Sequence, residues 1–556
     1  MALQFSLQQI VMLSLSLLAL VLGIALLVQV STLKNVLVSI PGFEEQGSAL
    51  FSVIVEPRQS STGTWYFVSA KIRGRVEPQH ILVDVQNNQY SNTIDLFDDG
   101  EHFDGIESDG TYGGYFDSSG KPIGEYNVSF NEKQLTSFLV YQPRCEPLIG
   151  KSLEENINFV LIPSGYENYD EFKTDANALL TGRNSLLSVE PFISQKQKFS
   201  FSLVNASQNI ECKEQCFGEG STILCCDNSM VIDEASQCHY DQIIVLHDSE
   251  TLCGSTSSYA KVCAKNELSK LILMHEVGHS FADLADEYTY SSNAPEEQEK
   301  ANCAQAECKK WDNITDGCYQ GCSSSSLYRS VEENSIMYTY KPIFNEVSKR
   351  QIENIISRYK IRESAGEKET FSSSFVVPLS YEQGAVNFGA VYKKPLAPPK
   401  EVKDSPYQAV ITNAKGNVLF QTPVILPIEL LPLPNTADIP KTLESFNHSI
   451  LLPYYVSAAK LTLFRNNREI ATTSLAVLSE LCGNQLCDSG ENHLTCAVDC
   501  SLEKDNLCES STCDPDCPSQ KNCVRKRAWL KGSAVLLMAG ALITIIFIII
   551  RMKHNR

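Results

Sequence analysis

Two uninterrupted apolar runs bracket this chain. Ile10 to Val30 (IVMLSLSLLALVLGIALLVQV) and Gly532 to Ile550 (GSAVLLMAGALITIIFIII) carry no charged side chain, and a helix of about 20 such residues crosses a bilayer core. Two spans place both termini on one side of a membrane and everything between them on the other. The second run is uniformly apolar and ends in Arg551, Lys553 and Arg556, so it has no competing globular reading. The first competes with a cleaved signal peptide. Its length, the absence of a basic segment before it and of a clear small-x-small site after it favour an uncleaved anchor. Basic residues lie on both sides of the second run and do not orient it. The cysteines do: all 20 fall between the two runs, and cysteines at that density belong in an oxidising compartment. The expectation is a cell-membrane protein with cytoplasmic termini and an extracellular central region. Four N-x-S/T sequons, at Asn127, Asn205, Asn313 and Asn447, agree with it weakly.

At 556 residues the chain exceeds one hydrophobic core, and about three or four domains are expected. Asp and Glu outnumber Lys and Arg by 66 to 46. That balance excludes a nucleic-acid binder, which needs a basic face. Across 45–145, strand-like runs such as SALFSVIVE, TWYFVSAKI and GEYNVSFN alternate with turns, which predicts a β-sandwich of roughly 100 residues. Its insert DLFDDGEHFDGIESDGTYGGYFD clusters Asp98, Asp99, Asp104 and Asp109 among glycines. Carboxylates so spaced can hold Ca²⁺, or can simply form turns. The insert resembles the D-D-G…D-G-x-Y loop of immunoglobulin-like modules on microbial surface proteins. From 150 to 365, strands (NFVLIP, KFSFSLVN, QIIVLH) alternate with helical segments, which predicts an α/β layer structure. From 370 to 480 the pattern returns to β. Turn residues Lys415-Gly416 and Asn466-Asn467 there mark two hairpins of a second sandwich. Residues 482–523 hold eight cysteines, and so short a piece needs covalent staples. CGNQLCDSGENHLTCAVDC resembles a cysteine-rich module of microbial surface proteins. The fold expected is thus multidomain, with an α/β domain flanked by β-sandwiches, a disulfide-rich module and two transmembrane helices, at 10–30 and 532–550.

The chemistry concentrates in one place. His275-Glu276-Val277-Gly278-His279 puts two imidazoles one helical turn apart on one face, so both can reach one Zn²⁺. Glu276 stands beside them, where it can take a proton from a water that the metal activates. The preceding LSKLILM is apolar enough for a helix buried on most sides, and Asn266 is a candidate cap for it. The pentapeptide alone arises by chance; its context raises the reading. HEVGHSFADLADEY closely resembles the signature of the IgA-peptidase-type zinc metallopeptidases, a metzincin-like family. Ser335-Ile336-Met337-Tyr338 is similar to the metzincin Met-turn, with Met337 beneath the metal. The resemblance implies a catalytic zinc ion held by His275, His279 and a third ligand. The common metzincin spacing puts that ligand on Ala285, which cannot bind metal. Asp286, one residue on, is the expected ligand and Glu287 the runner-up. A glycine of the family pattern is Ala282 here; if the turn needs a positive φ, Asp283 tolerates it better.

Other residues carry weaker signals. Tyr338 or Tyr340 can reach a developing oxyanion, and Tyr338 is taken as the catalytic one; a packed core tyrosine is the alternative. The strand QIIVLHDSE is read as the edge along which a peptide substrate pairs, and His247 on it as structural. Twelve cysteines from Cys145 to Cys322 are read as disulfides around a cleft rather than as metal ligands, and the adjacent Cys225 and Cys226 should bond different partners. The resulting expectation is a membrane-anchored zinc metalloendopeptidase acting on protein or peptide substrates. Two alternatives remain: a surface adhesion or scaffold protein with a non-catalytic peptidase-like domain, and a zinc amidase of cell-wall or glycan-linked peptides.

Overall fold

The structure, a computed structural model, describes residues 49–478 apart from 74–79, 152–155, 206–209, 211, 291–299, 365–371, 435 and 437. Both apolar runs and the 482–523 cysteine module lie outside the described residues. Among the described residues no helix is long and apolar enough to cross a membrane. What is described is β-rich and divides into three packed regions.

In the first region, eight strands between Ala49–Glu56 and Lys133–Tyr141 form one hydrogen-bonded path. Period-2 alternation turns one set of side chains inward. Tyr66, Phe116, Tyr126 and Phe138 stack at the centre of that core.

The second region carries the site. Its sheet runs β1 (Cys145–Ile149), β2 (Ile157–Ser164), β3 (Phe199–Val204), β4 (Gln242–His247), β5 (Gly254–Thr256) and β6 (Ala260–Cys263), in the spatial order β5-β6-β4-β2-β3-β1. β2, β3, β4 and β6 are parallel neighbours, and β1 and β5 close the two edges antiparallel. The central strands read as continuous apolar runs because both faces are buried. Phe159, Leu161, Ile244 and Leu246 face one core, with helices α1 (Tyr169–Thr181), α3 (Ser269–Ala282) and α4 (Glu346–Ser364). Val160, Ile162, Ile243 and Val245 face the other, with α2 (Asn228–Ala235) and Val376, Tyr392 and Leu451 of the third region. β4 is therefore an interior strand. The expectation that QIIVLHDSE is the open edge is corrected: a later, shorter strand, β5, takes that position.

The third region packs two four-stranded sheets around Phe375, Val377, Ile411, Leu461 and Leu463. Both expected hairpins form. Tyr407–Thr412 pairs with Val418–Val424, and Lys460–Arg465 with Arg468–Ser474 through Asn466 and Asn467, whose φ values are 49° and 63°. Asn tolerates that left-handed backbone best among side-chain-bearing residues.

All twelve cysteines of Cys145–Cys322 are paired, as Cys145–Cys238, Cys212–Cys226, Cys216–Cys225, Cys253–Cys263, Cys303–Cys322 and Cys308–Cys318. Cys225 and Cys226 do take different partners, and the disulfide reading is borne out over these residues.

Candidate metal centre

α3 starts at Ser269 rather than on the expected cap. Asn266 opens the turn before it: its Oδ1 accepts Leu268 N–H at 3.0 Å and its carbonyl accepts Ser269 N–H at 3.1 Å. From Ile272 to Ala282 every side chain of α3 is buried. Gly278 is what lets the helix lie against the Met-turn. A Cβ there would stand 2.5 Å from Met337 Sδ, far inside van der Waals contact, so only glycine admits the methionine under this turn.

The helix ends on Asp283 in the left-handed conformation (φ 54°, ψ 37°), with Asp283 N–H on His279 O and Leu284 N–H on Gly278 O. Asp283 does the work expected of a residue tolerating positive φ. The reversal brings the following residues back over the helix. Asn302 braces them, its side chain donating to Ala285 O and accepting from Ala285 N–H, both at 2.8 Å. Ser323 N–H holds Asp286 O at 2.8 Å, and Glu287 N–H holds Met337 O at 2.9 Å.

Three side chains converge as a result. His275 Nε2 and His279 Nε2 are 3.0 Å apart, and Asp286 Oδ1 lies 3.1 and 3.2 Å from them. All three residues are buried, and theirs is the group able to hold a metal ion among the described residues. The outer ring nitrogens fix the tautomers. His275 Nδ1 meets Ile336 O at 3.0 Å and His279 Nδ1 meets Leu284 O at 2.7 Å, so each neutral ring carries its hydrogen there and presents a lone pair at Nε2. Asp286 Oδ1 receives no hydrogen-bond donor, while Tyr290 O–H donates to Asp286 Oδ2. Three lone-pair donors in van der Waals contact repel one another unless a positive charge lies among them. The donor set, two imidazole nitrogens and one carboxylate oxygen, fits a metal ion.

Glu276 is fully buried next to this set. Its Oε2 accepts from Thr256 O–H, and its Oε1 has no hydrogen-bond partner. Burial pushes its carboxyl up to about 7. Glu287, the runner-up ligand, is turned elsewhere. Its Oε1 accepts from Asn302 at 3.1 Å and Asn345 at 2.7 Å, which makes it a brace of the loop. Tyr338 also departs from expectation, since its ring stacks under the Arg329 guanidinium at 4.2 Å. Of the two Met-turn tyrosines, Tyr340 is the one in the field of the site. Its O–H is buried without a partner, and burial with the Glu276 and Asp286 carboxylates raises its pKa. His247 faces Ser164 Oγ at 3.0 Å and Glu214 at 3.3 Å, as a structural histidine.

The Asp-rich insert does not converge. Asp98 accepts Asp109 and Gly110 N–H, Asp104 Oδ2 accepts Asp99 and Gly100 N–H, Asp99 binds His102, and Asp109 accepts Thr111 N–H. Most of these oxygens accept from turn amides, as the turn-forming reading expects, while Asp104 Oδ1 is buried without a partner and no metal-type group converges there among the described residues.

Among known proteins, residues 150–316 match the model of the family described as IgA Peptidase M64. The matched span holds His275, Glu276, His279 and Asp286 and stops short of Met337. The match supports the IgA-peptidase-type resemblance that HEVGHSFADLADEY carries. No curated protein matches the chain. Among solved structures, the native conformation of E. coli alpha-2-macroglobulin matches at 13% identity and a TM-score of 0.14, covering 22% of this chain and 8% of that one. At that score the likeness carries no inference.

Proposed function

We propose that this protein is a zinc metalloendopeptidase held at the outer face of a membrane by its terminal apolar runs. The observation that carries the reading is the convergence of three buried lone-pair donors beside a buried carboxyl whose Oε1 is uncommitted. A zinc ion held by His275, His279 and Asp286 supplies Lewis-acid polarisation of a peptide carbonyl and of water near neutral pH. Glu276 does the proton work, accepting at Oε1 from the attacking water and delivering to the leaving amine. A carboxyl near 7 suits both transfers. Thr256 holds Oε2 and so fixes which oxygen is available. Tyr290 fixes the Asp286 carboxylate in the same way. Tyr340, kept protonated by its surroundings, donates to the oxyanion that develops on the substrate carbonyl.

The test is zinc content and peptide-library hydrolysis by the full chain in detergent, beside Glu276→Gln. Stoichiometric zinc in both proteins with cleavage confined to the parent supports the peptidase. Zinc in both with cleavage by neither returns the chain to the adhesion reading. Absence of zinc overturns the ligand set.

A further inference from the structure

The edge of the catalytic sheet nearest Glu276 is already paired. β5 is held to β6 by the Cys253–Cys263 disulfide. Its Thr256 O–H reaches the Glu276 carboxylate and, at 3.1 Å, the Glu276 carbonyl. An extended peptide presenting a bond to Glu276 has this edge to add to. Residues 428–433, part of an excursion between two strands of the C-terminal sandwich, lie across it instead.

Leu431 N–H donates to Thr256 O at 3.1 Å in an antiparallel bridge. Pro432 O accepts from Tyr288 O–H at 2.8 Å, and the Tyr288 ring lies 6.4 Å from that of His275. Leu433 is fully buried in the catalytic core. It sits on Gly254, where a Cβ would come within 3.1 Å of Leu433 Cδ2. Further on, Asp438 Oδ2 accepts Thr222 N–H at 2.6 Å and Thr222 O–H at 2.9 Å. Thr222 O in turn takes Gly254 N–H at 3.0 Å. Extended backbone at a sheet edge, a carbonyl held by a phenol at the metal centre, and an apolar side chain in a pocket beneath it are the contacts a substrate would make.

We infer that residues 428–433 are a built-in strap that mimics substrate, so that the enzyme is latent until the strap leaves β5. The inference rests on the peptidase reading and adds its regulation. The holding contacts are few. Leu431 N–H makes the one backbone bond to β5, and Leu433 and Asp438 carry the rest. The pocket under Leu433 then receives an apolar side chain of the substrate once the strap has moved.

The probe is a fluorescent extended peptide ending in a hydroxamate, whose binding to the zinc-loaded full chain is measured on a Glu276→Gln background. Hydrolysis is measured separately with Glu276 intact. Apparent affinity scales with the fraction of molecules whose edge is uncovered. Leu433→Gly with Asp438→Ala is expected to tighten probe binding at least about tenfold, and Asp438→Ala alone about threefold. The single variant leaves the core intact and decides the question if the double one does not fold. Equal affinity across parent and variants, measurable or not, overturns the strap. Tighter probe binding by the variants without cleavage by any protein keeps the strap and overturns the peptidase.

Discussion

Two acidic clusters stand out in this chain, and they differ in whether their donors converge. In the 98–109 insert the carboxylates accept from loop amides and the His102 ring and do not converge, although Asp104 Oδ1 is buried without a partner. At α3, Asp286 and Glu276 keep one buried oxygen each without a donor. An unmet buried oxygen costs about 1–3 kcal/mol or more, so a fold that tolerates two side by side has another use for them. Neither a density of acidic residues nor a single unmet buried oxygen therefore marks a metal site; convergence of lone-pair donors on one point does.

The largest test of that contrast is Glu276→Gln, expected to lower hydrolysis about 10²- to 10⁴-fold while zinc content stays at that of the parent. Unchanged turnover would remove Glu276 from the proton path. Asp286→Ala should weaken zinc more than about 100-fold, read by competition with a fluorescent chelator. Asp98→Asn, by contrast, should leave metal content untouched and lower stability by about 1–2 kcal/mol through its two amide contacts; metal loss on that change would break the comparison.

His448 sharpens it from another side. It is buried like the α3 histidines, but its Nδ1 has no partner and no carboxylate converges on it. Burial holds its imidazole down to about 4, below the ordinary value of about 6.5. The unfolded chain takes up the proton first, so the stability is full above about pH 6.5 and is lost as pH falls toward 4. Denaturant titrations should show about 2 kcal/mol lost by pH 5, and His448→Phe should flatten that slope. The smallest effect is expected of Asn302→Ala, which removes the brace of residues 285–287. It should weaken zinc by about tenfold without abolishing it.

Much of the catalytic region was legible beforehand because its signals are local. Imidazoles at i and i+4 share a helix face whatever the rest of the chain does, and continuous apolar runs mark doubly buried strands. Gly278 was visible within the motif, yet its role appeared only when Met337 was placed against it. Asn302 gave no signal at all, since an isolated asparagine reads as a loop residue. Tyr338 and Tyr340 sit two residues apart in one turn, so their facings could not be told apart until Arg329 was seen to claim the first. The edge strand was misassigned for a related reason: β5 is only Gly254–Thr256, too short and polar to read as a strand, and order within a sheet is not a property of any one segment.

The amino-acid sequence by itself determined the HEVGH helix, the pairing chemistry of its cysteines, the hairpin turns and the candidate ligands His275, His279 and Asp286. These depend on spacings of a few residues, where backbone geometry leaves little choice. Tertiary structure alone decided that Asp286 rather than Glu287 meets the histidines, that the insert's carboxylates turn to their own amides, and that residues 428–433 cover the edge beside Glu276. Those outcomes join segments as far apart as Thr256 and Leu431, and contacts of that range are selected by the packing of whole cores, which no local pattern encodes.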